Sequence, residues 1–238
     1  MSEPTTIPYG GSELELFADA IIWRGYWQAQ LAGFVGKRVL EVGAGLGTVA
    51  RSIPHWPVER WVALEPDPDM ASRLLSLSAS GALPAFCESR RGTTADLAPD
   101  EQFDTVMYVD VLEHIEHDRA ELARAVRHVA RNGTLIVLAP AHRWLYSSFD
   151  AAIGHFRRYK RSGLLDLGPP DLCVARARYL DAAGLLASLA NRVLLRQSAP
   201  TPAQIRVWDR FMVPLSRWLD PLLGFSVGKS VLVIWRKS

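Results

Sequence analysis

Cysteine is almost missing from this chain. Cys87 and Cys173 are too few and too far apart for a disulfide framework or a four-ligand zinc site, and they read as buried thiols of a reducing compartment. Long apolar runs are missing too. None reaches the about 18 residues of a membrane span, and Ser2 to Ser12 is polar and carries proline and glycine, unlike a signal peptide. The expected location is therefore cytoplasmic, with contact to a membrane surface left open. Neither sign of charge dominates: 27 Lys and Arg face 25 Asp and Glu, a net +2. That balance argues against nucleic acid as the main partner. No repeat or low-complexity tract is apparent, and no compact His/Asp/Glu set along the sequence suggests a metal. What the chain does have is length and apolar content, 238 residues at 49% hydrophobic, enough for one sizeable core and one domain.

The most informative stretch is 39–47, Val-Leu-Glu-Val-Gly-Ala-Gly-Leu-Gly. Val39, Leu40 and Val42 form a short apolar run suited to a strand covered on both faces. Gly43, Gly45 and Gly47 follow, and glycine there lets a ligand approach the backbone closely. A helix is expected from about Leu46 to Ile53, with its free N–H groups facing the loop. Glu41 precedes the loop. Glu65 ends the next apolar run, Trp61-Val62-Ala63-Leu64, at a spacing that suits a ribose diol. A dehydrogenase fingerprint fits less well, because it runs G-x-G-x-x-G and needs no acid before the first glycine.

The rest of the chain alternates strand and helix. Residues 13–34 read as one helix over the mouth of the loop, with Leu14, Phe17 and Ile21 on one face. Asp67 and Pro68 open a helix whose buried stripe is Met70, Leu74 and Leu77. Short strands are expected at 84–88, 103–110 and 134–138. A helix over 117–131 separates the last two, opened by a capping-box-like Asp118 and Glu121 and ended by Asn132-Gly133. Further strands at 172–179 and 230–235 complete the set. Such alternation implies βαβ units in a doubly wound, parallel sheet. Ligands then sit outside the carboxyl ends of the strands.

With its acid, its glycines and the second acid at Glu65, the chain resembles the class I S-adenosylmethionine-dependent methyltransferases from about Lys37 to Ala141. The resemblance implies an α/β, Rossmann-like, mostly parallel seven-stranded sheet with a C-terminal antiparallel hairpin strand. The domain would span 37–238 with a helical insertion at about 182–225, behind an N-terminal helical lid at 1–36. S-adenosylmethionine is the implied cofactor, held by Glu41, Gly43, Ala44, Gly45, Glu65, Pro66, Thr94, Asp110 and Val111. Asp96 is a second candidate beside Thr94 for the adenine contact, and Asp110 would bind the methionyl amino group. Glu113 is expected to orient His114 or a loop amide.

On the acceptor side, His114 and His155 compete for the role of base, since an unperturbed imidazole titrates near pH ~6.5. Gly154 to Tyr159 is similar to a Gly-His-aromatic-Arg-Arg-Tyr segment of a bacterial methyltransferase subgroup. Tyr159 is expected to donate its hydroxyl, while Tyr146, Arg157 and Arg158 are expected to bind the acceptor, the arginines through anionic groups. The expected acceptor is a small, mainly apolar molecule. A methyltransferase fold put to cyclisation stays open as an alternative. Val207, Phe211, Leu215, Trp218 and Leu222 fall on one helical stripe, kinked or divided at Pro214. The stripe is expected to pack on its own domain; an acceptor cap, a homodimer face and a membrane-surface helix are the alternatives.

Overall fold

The computed structural model describes residues 12–190 and 200–238. Its strands are β1 (Arg38–Val42), β2 (Arg60–Glu65), β3 (Cys87–Arg91), β4 (Phe103–Val109), β5 (Val129–Pro140), β6 (Leu172–Leu180) and β7 (Ser230–Lys237). They form one seven-stranded sheet in the order β3-β2-β1-β4-β5-β7-β6. All pairings are parallel except those of β7, which lies antiparallel between β5 and β6. The order reverses direction between β1 and β4, which opens the crevice at their carboxyl ends where ligands bind in such sheets.

The helices are α1 (Ser12–Ala18), α2 (Ile21–Gln30), α3 (Pro68–Ala79), α4 (Asp118–Ala125), α5 (Ser148–Ala152), α6 (Arg161–Leu165), α7 (Ala182–Ala190), α8 (Pro202–Val207) and α9 (Val213–Leu222). The strands' two-residue period sends side chains to two cores. Val39, Trp61, Ala63, Met107, Ile136 and Ile234 pack under α2, with its Trp23, Tyr26 and Trp27. Leu40, Val62, Val106, Leu135, Val233 and Trp235 pack on the other face with Leu122 of α4.

Several expected elements differ. The single helix over 13–34 is two, α1 and α2, separated at Asp19 and Ala20. The helix after the glycine loop is replaced by turns and one 3-10 turn, Ala50–Ser52, ahead of Pro54, which removes a backbone donor and limits any longer helix. The third strand lies at Cys87–Arg91 rather than 84–88. Helix α4 stops at Ala125, and Asn132-Gly133, expected to end it, lies within β5. Asn132 there takes a left-handed φ of 62°, and the β4–β5 register shifts between Phe103 and Thr105. Asp118 and Glu121 do not form a box: His117 is the N-cap without a side-chain bond, and both acids turn inward to receive hydroxyls. Cys87 is buried as expected, but Cys173 is exposed.

The described parts of the insertion, 182–190 and 200–225, are mainly helical, and three buried acids fasten them. Asp209 accepts the Ile22 and Trp23 backbone N–H groups at 3.1 and 2.7 Å, capping α2 from far along the chain. Asp181 caps α7 through Gly184 N–H at 2.9 Å and accepts Trp208 Nε1–H at 2.7 Å. Asp220 accepts the Tyr26 hydroxyl at 2.6 Å and the Asp181 and Ala182 N–H groups at 2.7 and 2.9 Å. These contacts decide which helix face is buried: Ile205, Trp208, Val213, Ser216 and Asp220 face inward. The expected stripe does not pack on its own domain. Val207, Phe211, Leu215, Trp218 and Leu222 are 50–81% exposed. A π turn at Trp208–Met212 links α8 to α9 in one continuous helical run, and Pro214, which has no backbone donor, follows directly on that widened turn. Among the described residues no helix is long and apolar enough to cross a membrane.

Replacing Asp220 by Ala strands three buried donors, so equilibrium denaturation should show a loss of about 2–4 kcal/mol. Asp220→Asn, which keeps one carbonyl acceptor, should lose less.

Candidate active site

The carboxyl edge of the sheet is stitched by backbone bonds that bring the expected loops side by side. Gly92 N–H donates to Glu65 O, Ala44 N–H to Leu64 O, Asp110 N–H to Leu138 O and Ala141 N–H to Lys229 O, at 2.8–3.0 Å. Gly43 has φ 71°, and a Cβ there would stand 2.6 Å from Val111 Cγ2. Glycine is therefore required both by the turn and by the close approach of the β4 loop. Leu14 of α1 stands 3.0 Å from the position of a Gly45 Cβ, so the N-terminal helix lies over the glycine loop.

The two acids of the first motif have different fates. Glu65 accepts Gly45 N–H at 2.7 Å through one oxygen and Asp67 N–H at 2.9 Å through the other. Burial pushes its carboxyl up, and those amide bonds pull it down. Two oxygens offer about four acceptor sites, so capacity for a diol remains. Glu41 shares the Val39 face of β1 and points into the core, where it accepts Trp61 Nε1–H at 2.9 Å. Burial pushes its carboxyl up to about 8. It supports the sheet beneath the loop and does not face a ligand as expected. Ala44 is buried and Pro66 exposed beside Glu65. The Thr94 hydroxyl donates to Glu121 at 2.8 Å, alongside Tyr108 at 2.7 Å, and Asp96 accepts Thr93 N–H at 2.7 Å. The Thr94 and Asp96 side chains are thus committed to the protein, which leaves backbone groups of the 92–96 loop for a ring.

The region expected to face the acceptor is a knot of titratable groups. Asp150 is fully buried and accepts Ser147 N–H at 2.8 Å and Ser147 Oγ–H at 2.9 Å. It also accepts Arg158 Nε–H at 2.8 Å and Nη2–H at 3.1 Å. Its Oδ1 lies 2.9 Å from His155 Nδ1. Burial alone would raise its carboxyl, but the His155, Arg158 and Ser147 contacts outweigh burial and hold it well below the usual range. Phe156 N–H donates to Glu113 O at 2.8 Å, which draws the 154–158 segment against the turn after β4. The His114 and His155 rings then meet edge-to-face at 4.5 Å, and His155 Nε2 lies 3.9 Å from Glu113 Oε1. Burial, helped by His155, pushes the His114 imidazole down to about 4, so it is a weak base. Asp110, at φ 52°, is exposed as a residue. The surrounding protein nevertheless desolvates its carboxyl and pushes it up to about 6, against the pull of His155, Lys229 and Arg158.

Other expected roles are overturned by pairing. The Tyr159 hydroxyl is buried and donates to Asp118 at 2.9 Å and Leu112 O at 3.2 Å, so it braces α4 and does not face an acceptor. Arg157 holds Asp118 at 2.7 Å and Glu116 O at 2.6 Å. With Arg158 on Asp150, neither arginine keeps a free fork for an anion. The Tyr146 hydroxyl donates to His155 O at 2.6 Å, fixing the loop. Glu113 does not orient His114 through a hydrogen bond, since neither of its buried oxygens has a partner. The expectation of no compact ligand set also fails: Glu113, His114 and His155 offer ligand atoms within 4.8 Å of one another. Sequence reasoning missed Asp150 and Lys229. Lys229 precedes β7 and stands 4.3 Å over the Trp208 ring, its ammonium pushed down by burial and drawn up by Asp181, Asp110 and Asp150. A separate groove of about 960 Å³ between α1–α2 and α8, lined by Leu16, Ile22, Ile205 and Phe211, lies away from this chemistry.

An open α/β sheet with a glycine loop, a ribose-spaced acid and side chains gathered at its switch point defines a nucleotide-cofactor enzyme class. A methyltransferase-domain family model matches residues 24–184, and the chain belongs to that family, with the class I S-adenosylmethionine-dependent methyltransferase fold. No curated protein matches the sequence. Among solved structures, the fold is shared with a Haloferax volcanii methyltransferase solved with the Trm112 methyltransferase activator. That pair has 15% identity and TM-score 0.63, covering 96% of this chain and 94% of the other. A Mesorhizobium loti S-adenosylmethionine-dependent methyltransferase follows at 14% identity and TM-score 0.61, covering 92% and 99%. The [4+2]-cyclase SpnF has the same fold at 14% identity and TM-score 0.59, covering 89% and 80%. S-adenosylmethionine is the cofactor, and the free acceptor capacity of Glu65 fits its ribose.

The buried Glu41 gives a pH signature. Its carboxyl sits above its ordinary 4.5 in the folded state, so its stabilising contribution is complete below that value and is lost as pH rises through about 8. Glu41→Gln should flatten this decline in a melting-temperature series from pH 5 to about 9.

Proposed function

We propose that the protein transfers a methyl group from S-adenosylmethionine to a hydroxyl-bearing, mainly apolar small molecule, with His155 facing the acceptor. The observation that carries this reading is the Asp150–His155 pair at 2.9 Å beside Asp110 on the cofactor crevice. A carboxylate on Nδ1 fixes the tautomer, leaves the Nε2 lone pair for the acceptor and stabilises the ring should it take a proton. His114, pushed down to about 4 by burial, is a weak base. When bound, the cofactor supplies an already electrophilic methyl, so the protein's task is mainly alignment and removal of the acceptor's proton. Glu65 and the glycine loop hold the ribose end, Asp110 the methionyl ammonium, and α1 covers the mouth. The exposed apolar stripe of α8–α9 and the modest net charge favour an apolar acceptor over nucleic acid.

S-adenosylhomocysteine release, assayed against a panel of hydroxylated small molecules, tests this reading. His155→Ala should lose about 10²–10⁴-fold in turnover with cofactor affinity intact; an unchanged rate removes His155 from the reaction. Cofactor binding tests Asp110 separately. Its carboxyl is pushed up to about 6, so its protonation below that pH should weaken S-adenosylmethionine binding. Calorimetry on Asp110→Asn should show weak binding that no longer varies between pH 5 and about 7.5.

A further inference from the structure

We propose that Glu113, His114 and His155 form a binding site for one divalent transition-metal ion. Their ligand atoms all lie within 4.8 Å of one another, although two of the residues follow β4 and the third stands beyond β5. His155 Nε2 and Glu113 Oε1 are 3.9 Å apart, close to the about 3–3.5 Å that separates neighbouring donors around an ion with bonds of about 2.1 Å.

A second observation is independent of that clustering. Glu113 is fully buried, and neither carboxylate oxygen has a hydrogen-bond partner among the described residues. It is the only described residue with such orphaned buried side-chain atoms. Buried carboxylates are costly without a donor or a cation, and the nearest groups to Glu113 Oε1 include the acceptor nitrogen of an imidazole. A cation shared between them resolves both.

The outer contacts are those that metal-binding imidazoles need. His155 Nδ1 faces Asp150 at 2.9 Å, so its proton resides there and the Nε2 lone pair points toward Glu113. Asp150 is itself fixed by Arg158 and Ser147. The His114 ring hydrogen-bonds to the Gly154 backbone. Carboxylate–histidine and carbonyl–histidine pairs of this kind set the tautomer and raise ligand basicity. The nearby Arg158 charge is spent on Asp150 and the Lys229 ammonium sits over Trp208, which lowers their opposition to a cation. Two imidazoles and one carboxylate favour Zn²⁺, Co²⁺ or Fe²⁺ over Mg²⁺ or Ca²⁺, and three protein ligands leave positions open for an exogenous oxygen.

This inference rests on the reading above for the acceptor alone and changes the part played by His155: while Nε2 holds the ion it is not the base, and an acceptor oxygen on the ion, made more acidic there, gives its proton to water. Nε2 can give its lone pair to a proton or to an ion, and the ligand set around it selects the ion. An acceptor presenting a hydroxyl or carboxylate oxygen to that ion is then the substrate class the site takes.

The test is direct metal binding by the full chain carrying no histidine tag, dialysed against Co²⁺ or Zn²⁺. The expected result is one ion per chain by elemental analysis, with visible Co²⁺ absorption of a nitrogen- and oxygen-ligated site. Glu113→Gln and His155→Ala should each weaken binding more than about tenfold, with melting curves showing that both variants fold. Cys173→Ser, which removes an exposed thiol far from the cluster, should bind as the wild type does. No stoichiometric ion in the wild type, or an ion retained by both ligand variants, overturns the proposal. S-adenosylmethionine affinity measured on the same samples separates the two readings. A chain that binds Co²⁺ through this cluster but not the cofactor overturns the methyl-transfer reading alone. One that turns over fully after chelation overturns the ion's part in binding the acceptor and leaves the methyl-transfer reading standing.

Discussion

The buried carboxylate of Asp150 is the constraint on which the His114–His155 side of the crevice depends. It caps α5 through Ser147, receives two Arg158 donors and faces His155 Nδ1. A bare carboxylate in that position would be strongly disfavoured. Satisfied by a guanidinium, an imidazole, an amide and a hydroxyl, it folds the 147–158 segment back upon the turn after β4. It is the group that faces His155 Nδ1 and so sets its tautomer, while the Phe156–Glu113 and Tyr146–His155 backbone contacts help bring the ring edge-to-face with His114. Local loop structure and site chemistry are one interaction network here, and removing a member would cost more than its own bond.

Acids play a parallel role on the opposite flank. Asp209, Asp181 and Asp220 place negative charge at the N-termini of α2 and α7, where free N–H groups and the helix dipole favour it. Two of these caps come from distant parts of the chain. They clamp the insertion to α2 and to the end of β6, and they spend the polar face of α8–α9 on the protein interior. The consequence is a mixed pattern: Asp209, Ser216 and Asp220 share the buried face with Ile205, Trp208 and Val213, while Phe211, Trp218 and Leu222 look outward. Hydrophobic periodicity alone selects the wrong face in this case, because it prices apolar burial and cannot see remote caps.

The sheet and the cofactor loops were legible because they rest on local rules. Short apolar runs, a glycine loop that only small residues can build, and an acid closing β2 determine strand identity, order and the side of the crevice. Glu41 was misread because its two-residue period places it with Val39 rather than with the loop, a matter of register that the motif does not encode. The pairings of Tyr159, Arg157 and Thr94 were not legible either. Each is consumed by Asp118 or Glu121 on α4, and the sequence read those two acids as a local helix cap. Lys229 was within reach. Once the last strand is taken as antiparallel, the residue before it must lie at the carboxyl edge, among the ligand-facing loops.

Strain marks the same edge. Asp110, His142 and Asp181 hold left-handed φ values of 52°, 65° and 70°, each just beyond the carboxyl end of β4, β5 or β6. Non-glycine residues there cost of order ~1–3 kcal/mol unless their surroundings over-determine them. Each of the three has such surroundings. Asp110 N–H is tied to Leu138 O. His142 stacks on Tyr179 at 4.9 Å and reaches Gly228 O at 2.9 Å. Asp181 is held through its carboxylate by Trp208, Ser216 and Gly184. A strand that turned normally would carry its chain away from the crevice; a left-handed residue sends it sharply across the top of the sheet. That is how β4, β5 and β6, which contribute no glycine at these positions, bring Asp110, the 142–158 segment and Asp181 to the carboxyl edge of the sheet. The glycine loop supplies room for a ligand. These three strained turns supply the walls around it.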